Sequence, residues 1–156
     1  MSRSVRRRWA PLAVMMCAVL AGPIAVAHAS DNDILATLNA YGPKIKKDES
    51  AIKKGLNEYQ KSSRPLTRAL KHEVSDLRAL NKALRHESAS SAKVRKAKKD
   101  FIEGFGLIAS AYSSLRAEIL AVHGGAISAS EFDAVRATDT KGRHKVNAGL
   151  KLIQAT

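Results

Sequence analysis

From Ile34 onward, apolar residues recur three and four positions apart, and no stretch sustains the alternate-residue pattern of a half-buried strand. The first run, Ile34, Leu38, Tyr41, Ile45, Ile52, Leu56 and Tyr59, follows Asp31, Asn32 and Asp33, whose side chains suit a helix start and its dipole. Gly42-Pro43 falls inside this run while the stripe keeps its phase, which predicts a kinked helix, or a short helix followed by a longer one opening at Pro43. A second run, Leu66, Leu70, Glu73 or Val74, Leu77, Leu80 and Leu84, is preceded by Ser62 or Ser63 as cap and dies out at Glu87-Ser88-Ala89-Ser90-Ser91. A third, Val94, Phe101, Phe105, Ile108, Tyr112, Leu115, Ile119 and Val122, stops at Gly124-Gly125, a helix-ending pair. The second and third runs stay in register, but the missing apolar residues between them argue for a turn rather than one long helix.

The fourth run opens on Ser128-Ala129-Ser130-Glu131, a capping box with Ile127 and Phe132 placed for a hydrophobic staple. It continues through Val135, Val146, Leu150 and Ile153, with a weak middle at Thr138-Asp139-Thr140-Lys141-Gly142 that is the natural place for a break. Four amphipathic segments joined by short links are the pattern of an all-α, up-down-up-down antiparallel four-helix bundle, here with its first helix interrupted near Gly42-Pro43.

The N-terminus obeys different rules. Arg3, Arg6, Arg7 and Arg8 precede an apolar run from Pro11 through Val26, and Ala27-His28-Ala29 follows, the basic region, apolar region and A-x-A site of an export signal. The expected division is a signal peptide over 1–29, cleaved after Ala29, and a single helical-bundle domain over 30–156. The rival is an uncleaved anchor, since Trp9 to Ala27 is 19 residues without a charge. Gly22-Pro23 just upstream favours cleavage. Both readings put the body outside the cytoplasm, because the arginines hold the N-terminus inside. The expected location is therefore secreted or in the extracytoplasmic cell envelope, with no membrane span once the signal is removed. Signal and composition together resemble those of small secreted helical proteins of bacteria, without a motif that would name a family.

Charge then enters. The 156 residues hold 27 Lys+Arg and 14 Asp+Glu, a net +13; residues 1–29 remove four arginines and no acid, which leaves the remainder at about +9. The same segment holds Cys17, Trp9 and every methionine, so the domain lacks a disulfide framework, a zinc–thiolate site and a cysteine nucleophile. Lys93, Arg95, Lys96, Lys98 and Lys99 crowd five bases into seven positions where the third helix starts, against its dipole. Lys46, Lys47, Lys53 and Lys54, with Lys44, form a second basic set, and Lys141, Arg143 and Lys145 a third. For an exported chain the matching polyanions are envelope polymers and anionic lipid headgroups. The aromatics lie on the apolar stripes, leaving no platform for stacking bases, so sequence-specific nucleic acid is not an expected partner.

Catalytic chemistry is not advertised. His72, His86 and His144 fall off the apolar stripes, and His123 sits where a cation caps a helix end. There is no His-Glu-x-x-His or Glu-x-x-His, no Gly-x-Ser-x-Gly elbow and no phosphate loop. Gly104-Phe105-Gly106 lies inside an amphipathic run and reads as close helix packing. The carboxylates Asp48-Glu49 and Glu131-Asp133 sit among lysines or at a helix start, where they read as solubility and dipole residues. The expectation is a protein that is not an enzyme, with no catalytic, cofactor-binding or metal-binding residues. It is a small basic helical protein that binds or structures something anionic at the envelope, with the basic sets Lys93–Lys99 and Lys46–Lys54 as its contact surface. The alternative is a protein-interaction or self-associating module whose charge serves only solubility, for which Ile102, Leu107, Leu120 and Leu152 are the apolar residues to watch. A small-molecule carrier or enzyme ranks behind both.

Overall fold

The computed structural model describes residues 29–123 and 126–154, with side chains from Asp33 onward. Four α-helices follow one another: α1 (Ala29–Glu58), α2 (Arg64–His86), α3 (Ala92–Ala121) and α4 (Ala129–Gln154), and no strand occurs among the described residues. Residues 1–28 of the expected export signal and the glycine pair at 124–125 lie outside the described residues. Close packing joins α1 to α2, α2 to α3 and α3 to α4. In each pair the contacts run in opposite senses along the chain: Gly55 meets Leu66 while Thr37 meets Glu87, Lys98 meets Arg85 while Asn81 meets Ile102, and Ala97 lies by Gly149 while Gly104 lies by Gly142. Successive helices are therefore antiparallel neighbours.

The stripes are the core. Leu66, Leu70, Leu77, Leu80 and Leu84 from α2 share one buried core with Ile34, Leu38, Ile45 and Ile52 of α1, Phe101, Phe105, Ile108, Tyr112 and Leu115 of α3, and Val135, Val146 and Ile153 of α4. Each such aliphatic side chain contributes about 1.5–3 kcal/mol of transfer free energy.

Caps set the boundaries. At the start of α3 the Ser91 backbone is extended and its Oγ accepts from the Val94 amide at 3.1 Å. The capping box of α4 forms as expected: Ser128 Oγ accepts from the Glu131 amide at 3.2 Å, and Glu131 Oε2 accepts from the Ser128 amide at 3.1 Å. The start of α2 differs from expectation. Ser63 holds the cap position without a side-chain bond, Ser62 Oγ takes the Arg64 amide, and Pro65 supplies the pre-set φ of a first turn. After α3, His123 takes the left-handed conformation, φ 44°, that turns the chain out of the helix.

Two expected breaks do not divide their helices. α1 is one helix through Gly42-Pro43, so the interruption is confined to the hydrogen bond that a proline cannot donate. Asn39 and Pro43 both face solvent, so the carbonyl left over is on the side open to water. α4 is likewise continuous across Thr138–Gly142, because Gly142 is there for packing. A Cβ on Gly142 would stand 2.7 Å from the Gly104 carbonyl oxygen, and one on Gly104 would stand 2.7 Å from that of Gly142. The two glycines let the backbones of α3 and α4 touch.

Candidate functional site

The first concentration of chemistry is inside the bundle, and every helix supplies part of it. Glu49 comes from α1, Glu73 from α2, Tyr112 from α3, and Asp139 and Arg143 from α4. Each acid occupies a position of its helix's apolar stripe: Glu49 between Ile45 and Ile52, Glu73 between Leu70 and Leu77, Asp139 between Val135 and Val146. Helical geometry therefore forces them inward with the leucines and valines. Asp139 and Arg143 are one turn apart, and Arg143 Nε donates to Asp139 Oδ2 at 2.9 Å. A second guanidinium nitrogen donates to Tyr112 Oη at 3.0 Å, and a third lies 3.7 Å from Glu49 Oε1.

Burial governs the proton affinities here. Glu73 is 1% exposed, and desolvation, reinforced by the negative charges of Glu49 and Asp48, pushes its pKa up to about 9, so that it keeps its proton at neutral pH. Glu49 is pushed up to about 7, by desolvation first, with Arg143 pulling it back and Asp139 raising it. Burial opposes the charge of Arg143, but Tyr112, Asp139 and Glu49 outweigh it and hold the guanidinium protonated. The Tyr112 phenol is driven well up, chiefly by burial. Glu73 Oε2 and Asp139 Oδ1 have no hydrogen-bond partner. Beside this centre, between α1 and α2, Asp48 is raised by burial and by Asp76, and His72 partly offsets the rise.

This centre corrects two readings of the sequence. Glu49 is not a solubility residue among lysines; it points between the helices and is 16% exposed. Arg143 does not belong to a surface basic set; it is 7% exposed, and its neighbours Lys141 and Lys145 diverge from it, Lys141 to solvent and Lys145 to an ion pair with Glu103 at 2.8 Å. The signal available in the sequence was a charged residue on an apolar stripe. Chemically, the centre can hold and release protons between about pH 7 and 9, but none of the three surface grooves along α3 has Glu49, Glu73, Tyr112 or Asp139 in its wall. No group of three His, Asp or Glu among the described residues is arranged to hold a metal ion.

The second concentration is on the surface. Of the five bases at the start of α3, Lys98 Nζ donates to the carbonyl oxygens of Arg85 at 3.0 Å and Glu87 at 2.6 Å, closing the C-terminal end of α2. Arg95 donates to the Ser90 carbonyl, Lys96 pairs with Asp100 at 2.8 Å, and Lys99 lies 3.8 Å from Glu103. Lys93 is half-buried. The crowd of like charges is thus absorbed by local partners, although Lys96 and Lys99 still reach solvent. Lys46, Lys47, Lys53 and Lys54 are exposed along α1, and Lys44 lies over the Tyr41 ring, 4.9 Å from its centroid.

A third basic surface escaped the sequence reading. Arg64, Arg68, Lys71, Ser75, Arg78, Lys82 and Arg85 repeat at spacings of four and three along the whole of α2, and all seven are exposed. The two acids of α2 are the buried Glu73 and the half-buried Asp76, so no exposed acid interrupts this stripe. At 1.5 Å per residue it is about 32 Å long. Its signal was the heptad spacing of bases on the side away from the leucines, hidden because no two of them are adjacent in sequence.

Three grooves flank α3. Against α4 lie a small one, about 210 Å³, with Glu118 and Glu131 in its wall, and a wider one, about 730 Å³, that mixes Lys96, Arg136, Lys141, His144 and Lys145 with Asp100 and Asp133. The one against α2, about 470 Å³, sets Arg78, Lys82 and Arg85 opposite Ser110, Ser113 and Ser114, with no acid in its wall. Ile102, Leu107 and Leu152 are half-buried, which leaves Leu120 as the exposed large apolar side chain among the described residues. No described helix is long and apolar enough to cross a membrane. No family model, curated protein or solved structure matches the chain.

Proposed function

We propose that this protein is an exported, non-catalytic binding or structural protein of the cell envelope or its exterior, and that it contacts anionic surfaces. The observation that carries the reading is the α2 stripe, six exposed bases over one helix face without an exposed acid. Such a face concentrates positive potential along a line, attracts polyanions at long range and loses that attraction as salt screens it. The basic set on α1 adds to the same field. The strongly shifted acids sit inside the bundle, away from the groove walls, which favours binding over acid–base catalysis. A self-associating apolar face has less support, because Leu120 stands without exposed large apolar neighbours.

Co-sedimentation of the purified protein with isolated envelope material over a salt series tests this. Retention that falls steeply with salt, and that is lost when the six α2 bases are changed to Gln, is the expected result. Changing Lys93, Arg95, Lys96, Lys98 and Lys99 to Gln should weaken retention less. Absence of retention at low salt, or retention indifferent to salt, overturns the proposal.

A further inference from the structure

We infer that the α2–α3 groove is a binding site for phosphate groups of a hydroxyl-bearing polymer, a polyol or sugar phosphate chain; this rests on the envelope reading above and assigns it to one site. Three observations converge there. Arg78, Lys82 and Arg85 line one wall, and none has an ion-pair partner among the described residues. Ser110, Ser113 and Ser114 line the other, each exposed and able both to donate and to accept. Between them Asn81 donates from Nδ2 to the Ile102 carbonyl at 3.1 Å, while its Oδ1 is buried without a partner. The bases suit phosphate oxygens, and the arginines present the forked donors that match them. The exposed serines suit ligand hydroxyls, which a bare inorganic polyanion does not have.

The contrast with the wider groove against α4 sharpens the assignment. There Asp100 takes Lys96 at 2.8 Å and Lys145 at 3.6 Å, so much of the positive charge is already answered by the protein. In the α2–α3 groove the protein brings no acid to the wall, and the counterion must come from outside. Gly106 keeps the space open: a Cβ there would meet only Asn81 Nδ2, at 3.4 Å, and would narrow the floor. The groove continues into the rest of the α2 stripe, so a chain with phosphates in series can engage Lys71, Arg68 and Arg64 after the groove is filled. Single-stranded nucleic acid fits less well, since Tyr59, Phe101, Phe105, Tyr112 and Phe132 are all buried and no aromatic lines the groove.

The test is calorimetric titration of the full chain with a defined glycerol phosphate oligomer, glycerol 3-phosphate, inorganic polyphosphate and single-stranded DNA of matched charge. The oligomer should bind tightest, with the monomer weaker, which separates an envelope polymer from a free metabolite as the source. The exposed triple variant Arg78→Gln, Lys82→Gln, Arg85→Gln should lose about tenfold or more of the oligomer affinity. Lys46→Gln with Lys47→Gln should lose much less. Ser110→Ala, Ser113→Ala, Ser114→Ala should erase the preference for the oligomer over polyphosphate while leaving the polyphosphate affinity in place. Equal binding of oligomer and polyphosphate by the unaltered protein, or tighter binding of DNA, overturns the site assignment and leaves envelope contact standing. An unchanged triple base variant does the same. Failure of envelope retention at low salt overturns the broader reading independently.

Discussion

Arg143 and Arg78 show two uses of the same side chain. Arg143 lies between four helices with Asp139, Tyr112 and Glu49 around it, whereas Arg78 lies on the outer side of α2 opposite serines, with no acid in the groove wall. Inside, the protein supplies its own counterions, and the gain is a geometry that only one arrangement of the four helices satisfies. Outside, the protein withholds them, and the charge is left for something else to neutralise. A buried ion network is weak evidence for net stability but is sensitive to the loss of one member. An exposed cation contributes little to the fold and much to the field.

The largest effect should come from breaking the inner member. Arg143→Met leaves Asp139, Glu49 and Tyr112 without their cation and should destabilise the protein by about 3–5 kcal/mol in urea unfolding. If that loss does not appear, Arg143 does not hold the buried acids of the four helices together. The pH dependence comes next. Glu73 has a folded pKa of about 9 against an ordinary 4.5, so the folded state holds the proton more tightly than the unfolded one between those values. Stability should be greatest near or below pH 4.5 as far as Glu73 is concerned, and should fall as pH rises through about 9, by a few kcal/mol in all. Glu49, raised to about 7, contributes in the same direction below that pH. Glu73→Gln should flatten the decline, with melting measured from pH 5 to 10; an unchanged slope would show that Glu73 does not carry it.

A smaller contrast separates two glycines two residues apart. Gly104→Ala forces a Cβ against the backbone of α4 and should lower stability by about 1–3 kcal/mol, while Gly106→Ala meets only the end of Asn81 and should lie within about 1 kcal/mol of the original on thermal melting. The smallest effect belongs to the outer face: Arg78→Gln should shift stability by less than about 0.5 kcal/mol while weakening retention on envelope material. A large loss of stability there would mean that the stripe serves the fold.

The positions of the helices could be read almost residue by residue. The turn at Glu87–Ser91, the capping box of Ser128 and Glu131, and the stripes that became the core are local patterns, and local patterns are what a sequence displays. Gly142 misled because its reason lies on another helix: it reads as a weak point until Gly104 is seen against it. Pro43 misled in the opposite way, since its cost is one hydrogen bond at an exposed position, too small to end a helix whose buried face continues on both sides. Glu49 looked like one more charge beside Lys46 and Lys47, and only its phase with Ile45 and Ile52 said otherwise. The crowded bases from Lys93 to Lys99 drew attention because they are adjacent in sequence, whereas Arg78, Lys82 and Arg85 become a cluster only when the helix lines them up.

By itself the sequence determined an all-helical chain, the number of its helices and the links between them, the side of each that is buried, and an excess of positive charge, because these follow from periodicity, caps and composition. Tertiary structure alone decided which charges meet between helices. It brought Glu49, Glu73 and Tyr112 to the Asp139–Arg143 pair of α4, answered Lys145 with Asp100 and Glu103, and left Arg78, Lys82 and Arg85 facing serines. Electrostatic interaction falls with distance and rises with burial, so the meaning of a charge is set by spatial neighbours, as Glu49 and Arg143 are, however far apart they stand along the chain.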